Sequence, residues 1–191
     1  MAADLEALMV HLGEGPAHVV GLSLGACVAL ALALRSPARA RSLTLVNAFA
    51  RLRPADTGAT LRMLLRAVLL GTAPMTTVAS LVARSVFPRA EQTTLRQAAA
   101  ASLARTPRRA YVAAAAAITA FDARASLAQV RCPTMVVAGL EDGTVAIDAK
   151  DTLAHAIAGA RLILVPASGH ATNVDQPAAF NAVLTEFLAG H

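Results

Sequence analysis

One short segment places a serine where it could act as a nucleophile. Ser23 lies in the motif Gly-Leu-Ser-Leu-Gly at 21–25, after a short apolar run at 18–20 and before a helix-forming stretch at 26–35. This strand, turn and helix context is typical of a nucleophile elbow, in which a tight turn holds the serine in a strained backbone conformation above a sheet. Glycines at positions 21 and 25 are expected to let the strand and the helix approach each other closely. We predict Ser23 as the nucleophile.

Two further side chains supply what a serine nucleophile needs. A hydroxyl reacts poorly at neutral pH unless an imidazole accepts its proton, and a carboxylate must in turn orient that imidazole. His170 and Asp142 each follow a predicted strand. Because the carboxyl ends of parallel strands converge on one crevice, the three groups should meet there, and the chain order Ser, Asp, His fits a sheet-based triad. We predict His170 as the base and Asp142 as the group that orients it.

Other acidic residues fit the orienting role less well. The segment after the second strand reads Asn-Ala-Phe at 47–49 and supplies no carboxylate. Glu141 is adjacent to Asp142, but neighbouring loop residues point in different directions. Asp148 and Asp151 fall within a predicted helix, where a solvated position is expected.

The remaining histidines and the two cysteines are predicted to have no chemical role. The histidines lie on a helix, in a strand, on a second helix and at the terminus, and the cysteines fit no metal or redox spacing. No metal or cofactor is predicted. These residues are His11, His18, His155, His191, Cys27 and Cys132.

Composition narrows the class of protein. With 191 residues, 56% of them hydrophobic, the chain can bury a substantial core in one domain. The longest uninterrupted apolar run, at 26–34, is too short to cross a bilayer, and Asp4 and Glu6 stand where a signal segment would be basic and then apolar. We therefore expect a soluble, cytoplasmic protein that does not associate with membranes.

The positive charge does not indicate a nucleic-acid partner. The net charge is +5, but 16 of the 17 basic residues are scattered arginines, and there is one Tyr and no Trp. Such a chain lacks the aromatic platforms on which bases stack. We therefore predict no nucleic-acid partner.

Four short apolar runs, separated by helical patterns, predict an α/β fold with a parallel sheet covered on both faces. Between the second and third runs, prolines punctuate an Ala-, Leu- and Arg-rich stretch that predicts about four helices. The predicted strands are 17–22, 42–46, 133–138 and 162–165.

These motifs resemble the α/β-hydrolase fold family. The matching segments are 21–25, Gly-Leu-Glu-Asp at 139–142 and Ser-Gly-His at 168–170 with the following Asp-Gln-Pro at 175–177. The tail is similar to the branch that contains 3-oxoadipate enol-lactonases, esterases and cofactor-free haloperoxidases. The resemblance implies a core of residues 1–49 and 126–191 and a helical cap at 50–125. As a lid over the crevice, this cap would be expected to influence substrate preference through Leu64, Leu65 and Val68.

The resemblance also implies strands that this chain does not contain. Family members usually carry four strands before the elbow and a His-Gly motif that donates one oxyanion-hole N–H. We therefore expect a partial fold without the N-terminal half of the sheet, in which the exposed edge of residues 17–22 could pair two copies into a homo-oligomer. The N–H of Leu24 would supply the other oxyanion donor.

The activity implied by these residues is a serine hydrolase acting on a small ester, lactone or thioester through an acyl-enzyme. One alternative is a weakly active or non-enzymatic fragment that retains the motifs. Another is perhydrolase or haloperoxidase activity from the same three residues.

Overall fold

A computed structural model describes residues 1–54 and 56–191 and contains a four-stranded parallel sheet. The predicted α/β class is confirmed, and all four predicted strands are present. The second begins two residues earlier than the pattern indicates. The strands are adjacent in chain order and are β1 (Ala17–Leu22), β2 (Ala40–Val46), β3 (Thr134–Gly139) and β4 (Arg161–Val165).

Helices precede, connect and follow the strands. The α-helices are α1 (Ala2–His11), α2 (Leu24–Arg35), α3 (Thr57–Thr72), α4 (Met75–Val86), α5 (Thr93–Ala104), α6 (Arg108–Ala120), α7 (Ile147–Ala156), α8 (Thr172–Asp175) and α9 (Pro177–Ala189). The sequence pattern did not predict the single turn of α8. Throughout residues 1–54 and 56–191, each helix falls short of the length and hydrophobicity needed to cross a membrane.

Both faces of the sheet are buried, as expected for parallel strands joined by helices. On one face, Leu45 and Val136 pack with residues of α2 and α7, including Leu30 and Leu153. On the other face, Val137 of β3 belongs to a second apolar cluster that includes residues of α9. The sheet is therefore held rigidly between two layers, and its strand ends provide fixed positions for loops.

Among the described residues, the α-helices between β2 and β3 are α3 to α6, in agreement with the predicted run of about four helices. The two ends of this insertion meet where Arg51 and Asp122 form an isolated antiparallel bridge. The Arg108 guanidinium at the start of α6 donates to the carbonyls of Leu70 and Ala73, which joins α6 to the end of α3. The division of the chain into a core and a cap remains a prediction.

Candidate active site

Ser23 occupies a strained turn between β1 and α2. Its φ of 52° and ψ of −113° lie outside the regions that non-glycine residues favour. The turn is held in place because the Ser23 N–H donates to the carbonyl of Val46, 3.0 Å away on the neighbouring strand. The sequence therefore predicted the conformation of this residue from local pattern alone.

The two glycines of the motif have different roles. A Cβ on Gly21 would lie 2.3 Å from the carbonyl oxygen of Gly25, so only glycine fits where the strand passes the helix. A Cβ on Gly25 would meet no atom within 4 Å. The expectation that Gly25 also serves close packing is wrong, because it lies on an open side of α2.

His170 and Asp142 are hydrogen-bonded to each other. Nδ1 of His170 lies 3.0 Å from Oδ2 of Asp142, and the Asp142 side chain is fully buried. The other carboxylate oxygen, Oδ1, accepts hydrogen bonds from the backbone N–H groups of Thr144 and Val145 at 2.8 and 3.2 Å. These bonds fix the carboxylate's orientation, so that Oδ2 faces the imidazole.

A third charged residue, Lys150 on α7, contacts Asp142, and the sequence pattern did not predict it. Its Nζ lies 2.8 Å from Oδ2 of Asp142 and donates to the Gly139 carbonyl at 3.1 Å. The Lys150 side chain is fully buried. One carboxylate oxygen thus contacts both the imidazole and a buried ammonium group.

Burial and neighbouring charges shift the pKa values of Asp142 and Lys150. Burial by itself raises the pKa of Asp142, but the hydrogen bonds and charges of His170 and Lys150 outweigh it and leave the pKa below the ordinary carboxylate value. Burial lowers the pKa of Lys150, against the opposing attraction of Asp142. The carboxylate is therefore strongly held in its ionised form.

Asn47 joins the loops that carry the acid and the imidazole. It is fully buried at the end of β2 and has a φ of 46°, in the left-handed region that asparagine tolerates better than most residues. Its Oδ1 accepts from the Gly139 N–H at 2.8 Å. Its Nδ2 donates to the carbonyls of Gly169 and His170 at 3.1 and 2.8 Å, and to the hydroxyl of Thr172 at 2.8 Å.

Asp175 holds the loop before His170 from the other side. Its carboxylate accepts from the Gly169 N–H at 2.6 Å and from the Ser168 hydroxyl at 3.0 Å. The loop also packs directly on β3, because a Cβ on Gly139 would lie 2.3 Å from the carbonyl oxygen of Gly169. The imidazole is thus carried by a segment with little freedom to move.

Ser23 and His170 line one cavity of about 680 Å³. Leu24 is the first residue of α2, so its backbone N–H has no acceptor within the helix. Residues of the helical insertion form much of the cavity's lining. On α3 they include Met63 and Arg66, whereas the predicted specificity residues Leu64, Leu65 and Val68 are exposed and not part of the lining.

The remaining candidates lie apart from this pair or have other partners. Glu141 lines the cavity, but its carboxylate pairs with Arg89 at 3.0 Å. His18 on β1 is hydrogen-bonded to the Ser42 hydroxyl at 2.8 Å. Burial raises the pKa of the Cys27 thiol to about 12, which makes it unreactive. In the part of the chain that the structure describes, no three His, Cys, Asp or Glu side chains cluster closely enough to hold a metal ion.

Comparisons with known proteins match this architecture. The sequence profile of the alpha/beta hydrolase fold family matches residues 1–177. A relative from Pseudomonas savastanoi pv. phaseolicola, named "Putative carbamate hydrolase RutD", is 32% identical and covers 98% of this chain and 73% of its own length. 3-Oxoadipate enol-lactonase 1 from Acinetobacter baylyi is 29% identical, over 98% of this chain and 70% of the relative.

Solved structures are equally similar. A hydrolase from Pseudomonas aeruginosa PA01 superposes with a TM-score of 0.88 at 34% identity, covering 98% of this chain and 70% of that one. The enol-lactonase from Burkholderia xenovorans LB400 has a TM-score of 0.88 at 27% identity, covering 98% and 71%.

Proposed function

Because this chain belongs to the alpha/beta hydrolase fold family, we propose that it is a serine hydrolase that uses Ser23, His170 and Asp142 as a catalytic triad. The observation that carries the proposal is the 3.0 Å contact between His170 and the buried Asp142 beside the cavity that Ser23 also lines. The fold family accounts for hydrolytic chemistry in general. The assignment of roles rests on this geometry.

The contact with Asp142 determines which imidazole nitrogen acts as the base. Nδ1 of His170 is engaged by the carboxylate, so it carries the proton, and Nε2 is left to accept one from the Ser23 hydroxyl. Asp142 fixes this tautomer and stabilises the positive charge that forms on the ring. The low pKa of Asp142 keeps the carboxylate ionised while it does so.

The reaction then proceeds through an acyl-enzyme. The Ser23 oxygen attacks the substrate carbonyl as its proton moves to His170, and the leaving group departs with that proton. In the second step, water attacks the ester carbonyl of the acyl-enzyme and the acyl group leaves as the acid, which regenerates Ser23. The free N–H of Leu24 donates to the oxyanion in both steps, at the amino end of α2, where the helix dipole favours negative charge.

A small acyl compound fits this cavity. Apolar side chains, among them Phe49, Leu81 and Ile118, surround the space beside Ser23. Helices α3, α4 and α6 contribute to the lining, so we assign the insertion the role of a cap that shapes the pocket. We assign a small ester, lactone or thioester as the substrate class, and the carbamate and lactone named for the relatives carry the same kind of carbonyl centre.

Labelling with a fluorophosphonate tests the nucleophile. We expect one covalent adduct on Ser23 in the intact protein and none in Ser23→Ala, measured by peptide mass spectrometry. Ser85→Ala is the matched control, since Ser85 lines the same cavity and its removal should leave labelling intact. Labelling that persists in Ser23→Ala would place the nucleophile elsewhere, and a folded protein that is never labelled would favour a non-enzymatic relative.

Hydrolysis of 4-nitrophenyl butyrate tests the roles. Ser23→Ala and His170→Ala should each lose roughly 10⁴- to 10⁶-fold in kcat, with a smaller loss for Asp142→Asn. An Asp142→Asn variant with full activity would contradict the assignment of the orienting acid. A burst of nitrophenol equal to the enzyme concentration would identify the acyl-enzyme.

A further inference from the structure

The cavity that contains Ser23 has a strongly basic side. Besides His170, its charged lining residues are Glu141 and four arginines, which we call the basic rim: Arg53, Arg62, Arg66 and Arg84. Arg62 and Arg66 are one helical turn apart on α3, so their side chains share a face. Three of the four are exposed and Arg66 is half-buried, so these residues line the cavity and are also accessible to solvent.

The rim arginines are not neutralised by direct ion pairs, although Arg62 lies near Asp56, since a Cβ on Gly58 would be 3.3 Å from Nη1 of Arg62 and 3.1 Å from Oδ1 of Asp56. Within residues 1–54 and 56–191, none of the four rim arginines forms an ion pair or a side-chain hydrogen bond. The acidic lining residue Glu141 is already engaged by Arg89, which lies outside the lining. Some exposed arginines elsewhere do have carboxylate partners, as in Arg124 with Asp122 at 2.7 Å and Arg161 with Glu186 at 3.1 Å.

Much of the rest of the lining is apolar. Leu52, Met63, Val82 and Val86 belong to the same cavity and offer no charge. A ligand that complements both the apolar lining and the basic rim has an apolar body with one anionic end. Guanidinium groups bind planar carboxylates through two parallel hydrogen bonds, which are stronger than bonds between neutral groups.

We propose, building on the serine hydrolase function above, that the substrate carries a carboxylate, which the basic rim binds while the scissile carbonyl lies at Ser23. The carboxylate supplies a negative partner for the positively charged rim. The apolar part of the substrate fills the space between the rim and the nucleophile. Neutral esters of the same size lack this anchor and react more slowly.

Two isosteric substrate pairs test the proposal without assuming which end of the substrate is charged. In the first pair, 4-nitrophenyl hydrogen glutarate is compared with its terminal carboxamide, so the charge is on the acyl part. In the second, 4-acetoxybenzoate is compared with 4-acetoxybenzamide, so the charge is on the leaving group. We expect kcat/KM to favour the carboxylate by about ten- to a hundredfold in at least one pair at low salt.

Removal of the rim charge should abolish this preference. The double variant Arg62→Gln/Arg66→Gln should bring the ratio of kcat/KM for the carboxylate to kcat/KM for the carboxamide close to one. Arg131→Gln is the matched control, because Arg131 is exposed, lies outside the cavity and carries the same charge. Added salt should weaken the preference as well, since the Debye length falls from roughly 10 Å at 0.1 M to about 3 Å at 1 M.

Failure of this inference is distinguishable from failure of the hydrolase proposal. If both carboxamide esters are hydrolysed in a Ser23-dependent way at the same rate as the carboxylates, the hydrolase proposal stands and the carboxylate inference is overturned. Binding of glutarate by Ser23→Ala, measured by calorimetry, reports on the rim without any turnover. Loss of that binding in the double variant supports the rim, and equal binding of glutarate and glutaramide refutes it.

Discussion

Replacement of Lys150 by methionine should shift the pH dependence of hydrolysis. The ammonium group and Nδ1 of His170 lie 2.8 and 3.0 Å from the same carboxylate oxygen, so they are at most 5.8 Å apart, the sum of those distances. A positive charge at that separation opposes protonation of the imidazole. Its removal therefore makes the protonated, inactive form of the site easier to populate, and the acidic limb of the kcat/KM profile moves to higher pH.

The size of the shift follows from Coulomb's law. Two unit charges 5.8 Å apart interact by about 2.9 kcal/mol at an effective dielectric constant of about 20 and by about 0.7 kcal/mol in bulk water. Because one pH unit corresponds to about 1.36 kcal/mol, the limb should move by about 0.5 to 2 units. The assay is kcat/KM for 4-nitrophenyl butyrate from about pH 5 to about pH 9, with folding checked by thermal unfolding.

Lys150→Gln separates charge from hydrogen bonding. Glutamine keeps a side-chain N–H donor near Asp142 and Gly139 but is neutral, so its acidic limb should move as far as that of Lys150→Met while kcat falls less. Arg131→Gln, which removes an exposed charge, should leave the profile unchanged. A folded Lys150→Met variant whose limb moves by less than about 0.3 units would refute the reasoning, because it would show that no positive charge acts on the imidazole.

Three further predictions concern stability. Gly139→Ala should lower the free energy of unfolding by about 3 kcal/mol or more, because its Cβ would lie 2.3 Å from the Gly169 carbonyl oxygen, whereas Gly143→Ala has open space and should change it by less than about 0.5 kcal/mol. Equal urea midpoints for the two variants would contradict this packing argument. Asn47→Ala should lower the free energy of unfolding by about 3 to 5 kcal/mol, because it leaves buried partners without hydrogen bonds and puts alanine at a positive φ. Compared with Asn47→Ala, Asn47→Gly removes the backbone strain at a positive φ but does not restore the hydrogen bonds. A return to wild-type stability in Asn47→Gly would therefore show that the hydrogen bonds contribute little. The lowered pKa of Asp142 means that its ionisation stabilises the fold above the ordinary carboxylate pKa, and that this contribution is lost as pH falls through the lower folded value. Asp142→Asn should therefore lose less stability than the wild type between about pH 5 and about pH 3, and identical losses would argue against that linkage.

The sequence predicted those features of the fold that depend on local pattern. The strands are short apolar runs bounded by loops, and the elbow at Ser23 is encoded within five residues. Asp142 and His170 were predicted because each follows a strand whose carboxyl end must reach the same edge of a parallel sheet. Their hydrogen bond supports that reasoning, while their catalytic role remains for experiment.

The partners of this pair were not predictable in the same way. Lys150 occupies a helix position that reads as solvent-exposed, and its burial depends on how α7 packs against β3. In the sequence, Asn47 stands out only because the segment after the second strand supplies no carboxylate. The chemical use of its amide depends on the loops after β3 and β4, which are about 90 and 120 residues away along the chain. A polar residue directly after a buried strand is the one signal that could have drawn attention to it.

The amide group of Asn47 also determines how the site can move. It bonds at the same time to Gly139, before the acid loop, and to the carbonyls of Gly169 and His170. Neither loop can open without breaking bonds that restrain the other, so their opening is a single cooperative fluctuation with one free energy. The Gly139 N–H donates to Asn47, and the Glu141 N–H donates to the carbonyl of Ser168 in the other loop at 2.8 Å. These two amide protons should accordingly exchange with solvent at a common rate, as members of one unit that spans three strand ends. Change in either loop, whether by thermal motion or by mutation, is then constrained by the other.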